Sequence, residues 1–247
     1  MKHLAWIGAL VLAACASPNA APVRTKAMES ARVHTELAAQ YYQRAQLSVA
    51  LDELRQALGF EPDYAPAYDV RGLVHMALQE DREAEADFQH SLQLDSASSE
   101  AHNNYGWFLC QRGRERESVA QFLAALKNPL YSTPEKAYLN AGICSRKAGE
   151  PKDADAYLQK ALLLRPDVPE AMLALAAVKY DLGDYPAAES YFTRYVRSNA
   201  PMTAENLLLG VHIEHGMGDR KAEDSYALQL GKRFPRSREF QSLQQEK

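Results

Sequence analysis

The side chains able to do chemistry are few and scattered. Of the three cysteines, Cys15 lies near the N-terminus, and Cys110 and Cys144 lie mid-chain. His212 and His215 stand three residues apart, a spacing that puts two imidazoles on one helix face. Only Glu214 is nearby to complete a metal site, so exposed helix residues are expected. There is no Gly-rich phosphate loop, no His-Glu-x-x-His, no Gly-x-Ser-x-Gly and no Cys-x-x-Cys. The acidic run Glu80 to Asp87 is broken by Arg82 and by alanines at helical spacing, which describes a solvated face. No catalytic residue, metal, cofactor or small-molecule substrate is expected, and function must reside in a surface.

The N-terminus differs from the rest of the chain. Lys2 and His3 precede an apolar run from Leu4 to Leu12, too short to span a bilayer, followed by small residues and Cys15. Residues 1–14 therefore read as an export signal. Leu12-Ala13-Ala14-Cys15 resembles the bacterial lipobox, which implies that Cys15 is acylated and becomes the mature N-terminus; the competing reading is an ordinary secretory signal with an incidental cysteine. Several acyl chains would anchor the protein stably, at about 0.8 kcal/mol per buried methylene. Ala16 and Ser17 follow, in place of the Asp that retains many such lipoproteins in the inner membrane, so the resemblance implies the outer membrane. Residues 15–30, with Pro, small residues and no apolar period, are expected to form the lipidated N-terminus and a flexible tether.

Removing Lys2 with the signal leaves 27 basic against 32 acidic residues, a net charge of −5. Nucleic acid is an improbable partner for that balance, since backbone recognition needs a basic stripe. The basic segment Arg112-Gly113-Arg114-Glu115-Arg116 is interrupted by Glu115 and reads as a solvated turn between helices.

These residues must be positioned by a repeating scaffold. Taking units that begin at Ala31, Ala65, Ser99, Glu135, Pro169 and Thr203, the eighth position is Ala38, Gly72, Gly106, Gly142, Ala176 and Gly210, small every time. The twentieth is Ala50, Ala84, Ser118, Ala154, Ala188 and Ala222; the twenty-fourth is Leu54, Phe88, Phe122, Leu158, Phe192 and Tyr226, always large. Small residues let paired helices approach closely, and a bulky residue is expected to fill the gap to the next hairpin. Position 27 departs from its alanines at Ser91, Tyr195 and Gln229, so the last two units should pack less regularly. Gly113, Gly149, Gly183 and Gly218 fall in turns, and Pro62, Pro166, Pro201 and Pro235 close second helices.

The pattern resembles the tetratricopeptide repeat. That implies an all-α, right-handed superhelical solenoid of six helical hairpins spanning residues 31–64, 65–98, 99–134, 135–168, 169–202 and 203–236, with 237–247 as a cap or tail. Cys110 and Cys144 then sit on the first helices of consecutive units, and a disulfide between units three and four is expected; two buried thiols are the alternative. First helices line the concave groove in such arrays, which makes Tyr42, Leu73, Met76, Asn103 and Trp107 candidate partner-binding residues. The Lys and Arg set of a carboxylate clamp is missing.

Three segments go beyond the general repeat: Asn103-Asn104-Tyr105-Gly106-Trp107-Phe108-Leu109-Cys110, Leu207-Leu208-Leu209-Gly210, and Tyr226-Ala227-Leu228-Gln229-Leu230 to Phe234-Pro235. Together with the lipobox and the longer third unit, they resemble the pilotin lipoproteins of type IV pilus biogenesis. The resemblance implies a periplasm-facing outer-membrane lipoprotein that helps the pilus secretin reach the outer membrane and assemble into multimers, acting by binding alone. A different class of function, a general envelope scaffold for peptidoglycan-synthesis or outer-membrane assembly factors, fits the same architecture.

Overall fold

The computed structural model describes residues 20–246, with side chains placed from Lys26 onward. The export signal, Cys15 and the start of the tether lie outside the described residues. Among those described, the secondary structure is helical throughout. Six antiparallel hairpins pair α1 (Ala20–Gln43) with α2 (Leu47–Phe60), α3 (Ala65–Ala77) with α4 (Asp81–Leu94), and α5 (Ser99–Gln111) with α6 (Glu115–Ala125). They continue with α7 (Pro134–Lys147) and α8 (Pro151–Leu164), α9 (Pro169–Asp181) and α10 (Tyr185–Arg197), and α11 (Ala204–Met217) and α12 (Arg220–Arg233). A short α13 (Arg238–Gln245) closes the stack on α11 and α12. No described helix is long and apolar enough to cross a membrane.

The chain starts and stops these helices by local means. Ser98, Asp184, Thr203, Asp219 and Ser237 each cap the first turn of the helix that follows by accepting a backbone N–H. Proline occupies the first turn of α3, α7, α8, α9 and α10, where its missing N–H has no partner to lose. The turn inside each hairpin needs one left-handed residue. The last four hairpins place Gly113, Gly149, Gly183 and Gly218 there, with φ between +74° and +76°. The first two use Ala45 (φ +56°) and Gln79 (φ +63°), side chains that pay a steric penalty in that region. The first helix departs from expectation. α1 already runs from Ala20, inside the stretch read as tether, because Ala20 to Met28 holds Pro22 only in the opening turn and otherwise suits a helix.

The repeating small and large positions meet inside single hairpins. A Cβ on Gly72 would lie 2.8 Å from the Phe88 ring and one on Gly106 would lie 2.7 Å from the Phe122 ring; one on Gly142 would collide with Leu158. The bulky residue thus packs over the glycine of its own hairpin, where the spacing alone suggested that it fills the gap to the next. On α11 the ring comes from the preceding hairpin: Phe192 lies 2.8 Å from the position of such a Cβ on Gly210, and Tyr185 2.5 Å from one on Gly216. Phe88, Phe122, Leu158 and Phe192 are all buried, so the core is a row of small clusters handed from one hairpin to the next.

Candidate functional site

The first helices α1, α3, α5, α7, α9 and α11 contact one another in turn along one side of the stack, the side read as concave, and position five falls once on each. That position reads Thr35, Asp69, Asn103, Leu139, Leu173, Leu207. It is polar in the first three units and leucine in the last three.

In the front half the polar residues lock neighbouring units together. The Asn104 amide donates to Asp69 Oδ2 at 2.9 Å, joining α5 to α3, and the Asn140 amide donates to Asn103 Oδ1 at 3.0 Å, joining α7 to α5. Asp69 is buried, and its other oxygen has no partner. Burial pushes its carboxyl up to about 7, the hydrogen bond from Asn104 opposes this, and the Glu100 charge adds to it. A bidentate pair, Arg71 Nε and Nη2 to Asp87 at 2.7 and 2.6 Å, holds α3 to α4. On the turn side Arg114 bridges Glu85 (2.6 Å) and Glu117, and Arg112 reaches Asp81 at 2.5 Å. The segment lies in the turn between α5 and α6, as read from sequence, and its Arg112 and Arg114 also pair across to the second unit.

The structure distributes the groove residues expected from sequence over separate packing clusters. Tyr42 lies half-buried against the Leu54–Ala57–Val74 cluster, and Leu73 and Met76 lie against Phe88, Tyr105 and Phe108. Trp107 lies against Phe122 and the two cysteines, while Asn103 is buried and held by Asn140. Cys110 and Cys144 form a disulfide with Cα atoms 5.9 Å apart, stapling α5 to α7. His212 and His215 diverge. His212 pairs with Glu246 at 3.2 Å and stacks on Tyr180, whereas His215 faces Glu223 at 3.3 Å. No group of three or more metal-ligating side chains gathers among the described residues.

A cavity of about 420 Å³, lined largely by apolar side chains, lies in the back half between α7, α9 and α11. Ile143, Leu173, Ala177, Leu208 and Leu209 line it, with Tyr180 and His212 along one wall. Arg146 at its edge is held by Asp181 through Nε at 2.6 Å. None of the groove residues expected from sequence lines this trough. The signal was nonetheless present: positions 2, 5, 9 and 12 of the fifth unit are Glu170, Leu173, Ala177 and Tyr180, all of which line it.

With this geometry in view, the likenesses to known proteins are informative. The tetratricopeptide repeat family model matches residues 139–202. The type IV pilus assembly protein PilF of Pseudomonas aeruginosa is 30% identical over 247 residues, covering 99% of this chain and 98% of PilF. The solved structure of PilW, a type IV pilus biogenesis factor, superposes with a TM-score of 0.80 at 36% identity, covering 86% of this chain and 97% of PilW. The solved structure of the Pseudomonas aeruginosa PilF gives a TM-score of 0.82 at 30% identity, covering 91% of this chain and 99% of that one.

Proposed function

The chain belongs to the type IV pilus biogenesis family of tetratricopeptide proteins, which are protein-interaction adaptors and not enzymes, and from that premise we propose that it is the outer-membrane pilotin of a pilus secretin. Cys15 carries the lipid that takes it to the outer membrane, facing the periplasm. The concave side of the first three units, with Tyr42, Leu73, Met76 and Trp107 at its surface, holds a secretin segment. Asn103 fixes the joint beneath that surface through Asn140. Transport and assembly are coupled because one molecule contributes both the anchor and the grip.

The observation that carries this reading is that the likeness to PilF runs from end to end, over 99% of the chain, rather than over a repeat or two. A shared repeat fold alone would support only some protein partner. The test is deletion of the gene, followed by fractionation of the envelope and immunoblotting of the secretin. Heat- and detergent-resistant secretin multimers should fall several-fold in the outer membrane and be restored by the wild-type gene but not by Cys15→Ser. Undiminished multimers in the deletion strain would overturn the proposal.

A further inference from the structure

The trough between α7, α9 and α11 has no part in the front-half surface assigned to the secretin. Its floor comes from a helix that is apolar on nearly every side. Ala171, Leu175 and Val178 of α9 are buried in the solenoid, while Leu173 and Ala177 line the trough. A surface helix ordinarily turns a polar stripe outward; this one presents leucine to the concave side instead.

Charge around the trough is lopsided. Glu170 and Glu205 occupy the first turns of α9 and α11 and share one mouth. Both are exposed, and neither takes part in an ion pair among the described residues. At the far end the one lining cation, Arg146, is paired with Asp181, and His212 is hydrogen-bonded to Glu246 at 3.2 Å. Glu170 also faces an adjoining cleft lined by Lys136 and Arg165, where Arg165 is paired with Glu135 at 3.3 Å; neither cation lines the trough itself. The unmatched charge of the trough is therefore negative and confined to one end.

We propose that this trough is a second docking site, taking a short protein segment that presents two or three large apolar side chains and, at one end, a lysine or arginine. The apolar side chains fill the floor over Leu173, Ala177 and Leu209. The cation sits between Glu170 and Glu205 and fixes the direction of the segment. An acidic segment is repelled at that mouth, so the site discriminates by charge as well as by shape.

The test uses the full chain and fluorescein-labelled synthetic peptides read by anisotropy. One peptide carries leucines at i, i+3 and i+7 with two arginines at one end; a second replaces the arginines with glutamates; a third scrambles the first. The arginine peptide should bind at micromolar concentration, and the other two at least about ten-fold more weakly. Leu173→Glu should weaken the arginine peptide by at least about ten-fold, since it places a hydrated carboxylate in the apolar floor. The exposed pair Glu170→Gln with Glu205→Gln, which leaves the fold untouched, should narrow the arginine-over-glutamate preference by about three- to ten-fold. Trp107→Ala, on the front half, should leave binding unchanged. The proposal fails if no peptide binds at millimolar concentration, if the glutamate peptide binds as well as the arginine one, or if Trp107→Ala abolishes binding while the double glutamine variant does not. Because the readout contains no secretin, its failure is distinct from failure of the pilotin reading.

Discussion

The two halves of the solenoid share a register and differ in what they do with it. In the front half, position five is Thr35, Asp69 and Asn103, all buried, and hydrogen bonds such as Asn104 to Asp69 join neighbouring units beneath the surface that carries Tyr42, Leu73, Met76 and Trp107. In the back half the same position is leucine, and the concave side opens into an apolar trough of about 420 Å³. Small residues at positions eight and twenty fix the backbone in both. Of the three leucines only Leu173 lines that trough, Leu207 being fully buried and Leu139 facing the adjoining cleft, so position five contributes to the contrast without deciding it alone.

The junction between the halves is the disulfide from the third unit to the fourth, and removing it is the hardest blow to that comparison. It closes a loop of 34 residues, and in the chain-entropy picture this stabilises by about 4 kcal/mol. Cys110→Ser with Cys144→Ser should lower unfolding stability by roughly that much. If the halves are separable units, the single urea transition should also split into two. A single transition, merely shifted, would mean that Asn103–Asn140 and core packing join the halves unaided.

A smaller effect separates the polar joint from the apolar trough by its response to pH. The Asp69 carboxyl titrates near 3.8 when unfolded and near 7 when folded, so between those values the folded state holds the extra proton. The stability this group contributes is complete below about pH 4 and is lost as pH rises through 7. From pH 5 to pH 8 the wild type should lose about 2–3 kcal/mol more than Asp69→Asn, measured by urea midpoints at each pH. Equal losses would show that the joint does not depend on a neutral carboxyl. Substitutions at Leu173 should leave the pH dependence unchanged.

The smallest effect sharpens the comparison at the turns. Gln79 holds, in the second hairpin, a left-handed conformation that glycine holds in the last four. Relief of that strain should let Gln79→Gly gain up to about 1 kcal/mol, while Gly183→Ala should lose about 1–2 kcal/mol, both read from urea midpoints. Opposite signs at equivalent positions would place the difference in the side chain rather than in the turn.

Much of this was legible in the residues. The period of small and large positions marked each hairpin, and Gly113, Gly149, Gly183 and Gly218 marked four of the turns, because backbone geometry leaves few residue types acceptable there. What escaped was of another kind. That Phe88 packs over Gly72 of its own hairpin depends on helix orientation, which spacing does not report. The extension of α1 back to Ala20 escaped because small residues near Pro22 read equally well as coil. Leu173, Ala177 and Tyr180 stand at the positions that mark a concave lining and do line the trough, whereas Tyr42, Leu73, Met76 and Trp107 of the first units pack partly against the core. The Asp69–Asn104 and Asn103–Asn140 bonds each join position five to position six of the next unit; the repeat brings those positions together, but which side chains bond depends on rotamers that spacing does not report.

The disulfide has a mechanical consequence. A chain held at one end and loaded at the other passes force through the sulfur–sulfur link, bypassing the segment from Cys110 to Cys144. About 110 Å of contour, at roughly 3.3 Å per residue over 34 residues, cannot be drawn out by pulling while that link is intact. The middle of the molecule is thereby exempt from stretching, whatever tension its ends bear.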